Sequence, residues 1–165
     1  MRIFNIILLF GVALLMDSCY SFKGISITPD LNTFYVKRFE LNSNEALPNY
    51  AQQFSELLKD KIRLESRLKY NDLDPDIIFS GVITNYHVSA VAPQPGETTA
   101  FSRLEVTVSV TYENIKNENL NWTNSFNYFL DFPSNQDFFT VQESLNSQIN
   151  TYMVEQIFNK AFTNW

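Results

Sequence analysis

Leu104, Val106, Val108, Val110 and Tyr112 alternate strictly with Arg103, Glu105, Thr107, Ser109 and Thr111. A period of two puts every second side chain on the same face of a strand, so this stretch must lie with one face on a core and one face wet. That pattern suits an antiparallel sheet covered on one side only, and excludes a parallel strand buried on both faces. Everything else in the chain has to supply neighbours for this strand and a cover for its apolar face.

The neighbours are at hand. Asp76 to Ser89 contains Ile77-Ile78-Phe79-Ser80-Gly81-Val82-Ile83-Thr84-Asn85-Tyr86-His87-Val88, a long strand that is apolar on both faces in places. Gly81 within it marks a bulge or a close approach by another backbone. Trp122 to Phe132 is a further strand, with Trp122, Phe126, Tyr128, Leu130 and Phe132 on one face. These three form an antiparallel meander. Thr33 to Phe39, rich in β-branched and aromatic residues, is a first strand, followed by a polar loop from Glu40 to Ala46.

Two helices provide the cover. Pro48 opens the first, where a proline in the first turn forfeits no hydrogen bond. Tyr50, Phe54, Leu57, Leu58 and Ile62, continued by Leu68, make its apolar stripe, and Asp72-Leu73-Asp74-Pro75-Asp76 ends it. The second follows Pro133-Ser134-Asn135-Gln136-Asp137 and runs to the end of the chain. Its apolar residues, from Val141, Leu145 and Ile149 to Phe158, Phe162 and Trp165, span a wider arc than one sheet face demands. The helices therefore touch each other, or part of the arc meets a partner. The order β-α-β-β-β-α predicts an α+β, two-layer domain with two helices packed on a four-stranded mixed sheet.

The amino terminus has a different character. Arg2 is followed by an apolar run from Ile3 to Met16, too short for the roughly 20 residues of a spanning helix and typical of an export signal. Leu15-Met16-Asp17-Ser18-Cys19 resembles the lipobox of bacterial lipoproteins, whose cysteine is lipidated and becomes the mature terminus; Met16 and Asp17 depart from its usual residues. The competing reading is a secreted protein with one thiol. The expected layout is a lipoprotein signal peptide over 1–18, an arm or tether over 19–31 and one domain over 32–165. Cys19 is the sole cysteine, so no disulfide framework exists and packing must hold the fold. Several acyl chains are needed for stable anchoring, since one chain holds only marginally.

The chain carries a net charge of −6 and no cluster of lysine or arginine, which argues against nucleic acid as a partner. It offers little catalytic chemistry. His87 is the only histidine, and no histidine and carboxylate set has metal-ligand spacing. Asp72, Asp74 and Asp76 alternate as in a calcium loop but lack its glycine and distal glutamate. No catalytic group, metal or cofactor is expected. A long loop from Ala90 to Thr99, with two prolines and a glycine, is the kind that carries function.

Taken together, Cys19 to Ile27, Phe54 to Lys61, Phe79 to Tyr86, Thr98 to Leu104 and Ile157 to Trp165 resemble the lipopolysaccharide-assembly lipoprotein family LptE, in its Bacteroidetes-type form. The resemblance covers nearly the whole chain and implies the same strand and helix order. It also implies a plug inside the outer-membrane β-barrel LptD that assists transport and assembly of lipopolysaccharide at the cell surface. Tyr20 after the cysteine is not the aspartate of inner-membrane retention, so the resemblance implies an outer-membrane protein, lipid-anchored through Cys19 and facing the periplasm. Some family members are thought to bind lipopolysaccharide through basic residues. No motif carries those onto this acidic chain; Arg103 is the candidate contact by position, with Lys37 and Arg38 in support, and a cross-strand pair with a glutamate is the alternative for Arg103. The alternative role is a periplasm-facing accessory subunit of another envelope transport or barrel-assembly machine. A lipid carrier would need an enclosed apolar pocket.

Overall fold

The structure, a computed structural model, describes residues 26–92 and 100–163. Its strands are β1 (Thr33–Val36), β2 (Glu40–Leu41), β3 (Lys69–Tyr70), β4 (Ile77–Val91), β5 (Phe101–Asn114) and β6 (Trp122–Pro133); its helices are α1 (Tyr50–Glu65) and α2 (Phe138–Phe162). The α+β class, the two helices on a mixed sheet and the order of the main elements agree with the sequence expectation. The strand count does not: the described sheet has six strands, ordered β3-β1-β4-β5-β6 with β2 also on β4, where four were expected. The two extra strands, β2 and β3, are two residues each. A two-residue strand has no alternation to read; backbone pairing alone defines it.

β4, β5 and β6 are the expected antiparallel meander, paired along nearly their whole lengths. β1 pairs with β4 in parallel, across the crossover made by α1. The register between β4 and β5 shifts between Ile83 and Asn85, so the bulge lies at Thr84 and not at Gly81. Gly81 instead marks close approach. A Cβ there would press on the carbonyl oxygen of Ser109 and lie 2.5 Å from Phe39 Cε1, so the Phe39 ring fills the space a side chain would need.

α1 begins at Tyr50, two residues beyond the expected Pro48, after a turn in which Tyr50 N–H donates to the Leu47 carbonyl at 2.9 Å. It also ends sooner than the expected Asp72–Asp76 turn. The Ser66 hydroxyl donates to the Ile62 carbonyl at 2.6 Å and the backbone at Ser66 becomes extended, so the last turn closes there. Leu68 is buried from outside the helix. Tyr50, Phe54, Leu58 and Ile62 are fully buried, as is the inner row of β5: Leu104, Val106, Val108 and Val110.

The wide apolar arc of α2 is used on two sides. Leu145, Ile149, Met153, Ile157 and Phe158 are buried, while Gln142, Asn146 and Asn150 form a buried polar row four residues apart. The two helices touch: Lys61 of α1 pairs with Glu155 of α2, and Tyr50 of α1 hydrogen-bonds Asn150. Of the expected arm, residues 26–31 lie on the domain. Ser26 N–H donates to the Phe162 carbonyl at 2.6 Å, Arg67 Nη2 to the Thr28 carbonyl at 2.7 Å, and Leu31 is buried.

Candidate functional site

Both helices pack on one face of the sheet, and among the described residues nothing covers the other. That open face carries Ser89, Arg103 and Asp131 in one cross-strand row, then His87, Glu105 and Phe129, then Asn85, Thr107 and Asn127, then Val82, Ser109 and Ser125, then Ser80, Thr111 and Thr123. Sequence alternation puts these side chains outward, because their neighbours on β5 point into the core. Polar groups on the face satisfy one another. Asn127 Nδ2 donates to Glu105 Oε1 at 2.7 Å and to Thr107 Oγ1 at 2.8 Å, and the Thr111 and Thr123 hydroxyls lie 3.0 Å apart. Cross-strand polar contacts of this kind stiffen a wet face without closing it.

Arg103 stands at the end of this face that leads to the long loop. Its Nε donates to Asp131 Oδ1 at 2.7 Å and its Nη2 to Asp131 Oδ2 at 2.9 Å, while the guanidinium lies 3.7 Å above the Phe129 ring. The partner is an aspartate directly opposite on β6, not a glutamate. The pairing raises the arginine further above its ordinary value and lowers the Asp131 carboxyl, in both cases chiefly through these hydrogen bonds. Two of five guanidinium donors are used, so others stay available to a ligand. Asp131 and Phe129 escaped the sequence reading because cross-strand register is invisible in one strand alone; the cue was the alternation of both strands counted back from their shared turn.

The structure does not gather the basic candidates. The Lys37 N–H donates to the Phe79 carbonyl, whereas Arg103 is paired with Ser89, ten residues further along β4. At 3.3 Å per residue the two lie roughly 30 Å apart. Lys37 and Arg38 are exposed at the far end of the sheet. His87 is on the open face with Nδ1 3.0 Å from both carboxylate oxygens of Glu45; the hydrogen bond to His87 is the main influence holding the Glu45 carboxyl low.

The aspartate run is a structural clamp. Asp76 Oδ2 accepts from the Asn32 and Thr33 amides at 2.6 and 2.9 Å, and Oδ1 lies 2.8 Å from Lys116 Nζ. Burial acts to raise this carboxyl, but the Lys116 and backbone hydrogen bonds outweigh it and hold it at about 2. Among the described residues no three histidine, cysteine or carboxylate groups come together as metal ligands, and no helix is long and apolar enough to cross a membrane. Cys19 and the loop residues 93–99 lie outside the described residues.

Residues 31–163 match the model of the LptE family, described as lipopolysaccharide-assembly. Solved structures share the fold at low identity. An uncharacterized lipoprotein B from Nitrosomonas europaea has a TM-score of 0.55 at 15% identity over 86% of this chain and 88% of its own. A dodecamer of a PelC variant from Paraburkholderia phytofirmans has 0.53 at 10% over 86% and 94%, and a minor lipoprotein from Acinetobacter baumannii 0.51 at 9% over 78% and 91%. No curated protein matches the chain by sequence.

Proposed function

Since the chain belongs to the LptE lipopolysaccharide-assembly family, we propose that it is an outer-membrane lipoprotein that plugs an LptD-type β-barrel and assists delivery of lipopolysaccharide to the cell surface. The family match over residues 31–163 carries this reading. The open face of β4, β5 and β6 supports it, because the lumen of a membrane barrel is polar and a plug must present hydrogen-bonding groups to it. The role is non-catalytic, as in the family as a whole.

In this reading residues 1–18 are a cleaved signal, Cys19 carries the acyl chains, residues 19–31 lead from the membrane and residues 32–165 are the plug, facing the periplasm. Arg103 contacts lipopolysaccharide or the barrel with the donors that Asp131 leaves unused. The test is depletion of the protein, with surface lipopolysaccharide and native membrane partners measured together. Loss of surface lipopolysaccharide and copurification of a very large outer-membrane barrel are expected. Normal surface lipopolysaccharide, or copurification with a different envelope machine, overturns the proposal. Cys19→Ala should abolish lipidation while the domain still folds, leaving any remaining membrane association to report the barrel contact.

A further inference from the structure

A cleft of about 470 Å³ runs between the start of α1 and the middle of α2. Asn146 and Asn150 form its floor, each only 5% exposed. Tyr86 donates its hydroxyl hydrogen bond to Asn146 Oδ1 at 2.9 Å, and Tyr50 donates to Asn150 Oδ1 at 2.5 Å. Gln142 Nε2 in turn donates to the Tyr86 hydroxyl at 3.0 Å, which fixes the direction of that chain. With both carbonyl oxygens tied to tyrosines behind them, the two Nδ2 groups are turned the other way. Neither has a hydrogen-bond partner among the described residues, and neither is sealed from solvent as Asn114 Nδ2 is. Two oriented donors that no group of the described residues accepts are left to water, which a ligand carrying two well-placed acceptors can displace.

We propose that this cleft binds an extended, uncharged peptide segment of a partner protein through its main-chain carbonyls. Asn146 and Asn150 are four residues apart on a helix, a rise of about 6 Å. Carbonyls on one side of an extended chain repeat every two residues, about 6.6–6.8 Å. The opposite wall repeats the same spacing with Asn49 and Gln53, whose amides offer both donor and acceptor. Leu47 and Leu57, each 37% exposed, give apolar side chains of the segment a place to rest.

The chemistry of the cleft disfavours other ligands. It has no lysine or arginine and one carboxylate, Glu143, so a phosphate or carboxylate is repelled. A sugar ring lacks a flat aromatic face to stack on, since Tyr50 and Tyr86 pack edge to face behind the asparagines. The proposal rests on the assembly-subunit reading, because a peptide cleft needs a protein partner.

The test places p-benzoylphenylalanine at the exposed Gln52 of the full chain, beside the cleft and outside its lining, and cross-links in living cells. The expected adduct is a single linear peptide of another envelope protein. Asn146→Asp with Asn150→Asp keeps the acceptors for the tyrosines but removes the donors, and should cut adduct yield about fivefold or more, the equivalent of two lost hydrogen bonds. Ser147→Trp fills the cleft without touching the tyrosines and should do the same if the double variant melts early. An adduct on a glycolipid, an adduct indifferent to Ser147→Trp, or no adduct overturns the proposal. If that happens while surface lipopolysaccharide is normal in the wild type, falls on depletion and the barrel still copurifies, the assembly reading stands without the cleft.

Discussion

The two faces of β5 differ by one residue of offset and by everything else. On the covered face Leu104, Val106, Val108 and Val110 have no exposed surface. On the open face Arg103, Glu105, Thr107 and Thr111 meet hydrogen-bond partners on β6 and remain in reach of solvent. The covered face is held by packing, where a missing atom leaves a void that neighbours only partly close. The open face is held by pairs that exchange contacts with water at little net cost. The contrast teaches where stability ends and recognition can begin: a substitution that unfolds the domain and one that spoils its role should come from opposite faces.

The largest effect should come from the covered face at Phe79. Its ring sits edge-on to Tyr112 and Phe162 at 5.2 and 6.0 Å, joining β4, β5 and α2. Phe79→Ala should lower unfolding free energy by about 3–5 kcal/mol. Urea unfolding of the purified protein checks it, and a loss below that of an open-face change such as Thr107→Val would break the contrast. Gly81 tests the same face by addition. Gly81→Ala drives a methyl into Phe39 and the Ser109 carbonyl and should cost about 1–3 kcal/mol. Pairing it with Phe39→Leu should recover part of that loss, whereas strictly additive losses would show that the backbone contact with Ser109 dominates.

This division also marks what could be read from the chain itself. The alternation in β5 announced one covered and one open face, and the helical spacing of Tyr50, Phe54, Leu58 and Ile62 announced the cover. β2 and β3 could not be read, because their pairing is made by backbone groups that every residue carries. The end of α1 was missed for a local reason: Ser66 closes the helix with its own hydroxyl, well before the proline and aspartates that looked like its stop. At the site, Arg103 was legible as a cation on the open face, but its clamp by Asp131 and Phe129 depends on cross-strand register. The row Gln142, Asn146 and Asn150 is written at helical spacing. Its meaning depends on Tyr50 and Tyr86, which lie about 100 and 60 residues away in sequence.

Between the two faces stands the sheet's end, where Asp76 ties β1 and the β5–β6 turn to the start of β4. Its side chain is 15% exposed and its carboxyl is held at about 2, below its ordinary 3.8. A folded-state pKa below the unfolded one adds stability above pH 3.8 that fades as pH falls from there through about 2. Solvent screening leaves that contribution on the order of 1 kcal/mol. Asp76→Asn should lose most of it at neutral pH and flatten the pH dependence of urea midpoints between about 4 and 2. An unchanged slope would mean that Lys116 and the amides of Asn32 and Thr33 do not hold this carboxyl low in the folded protein.

Arg103→Ala should have the smallest effect on stability and the most selective effect on role. Arg103 shares its charge with Asp131 on an exposed strand pair, and such pairs contribute little to folding. The melting temperature should barely move. If the guanidinium serves ligand or barrel, surface lipopolysaccharide should nevertheless fall in cells carrying the variant. Arg103→Lys separates two parts of that role, since an ammonium keeps the charge but loses the planar fork over Phe129 and the bidentate grip on Asp131. Rescue by lysine would assign the effect to charge alone, failure of lysine to the oriented guanidinium. A variant that melts normally and assembles lipopolysaccharide normally would remove Arg103 from the site and leave the hydrogen-bonded rows beyond it as the working part of the open face.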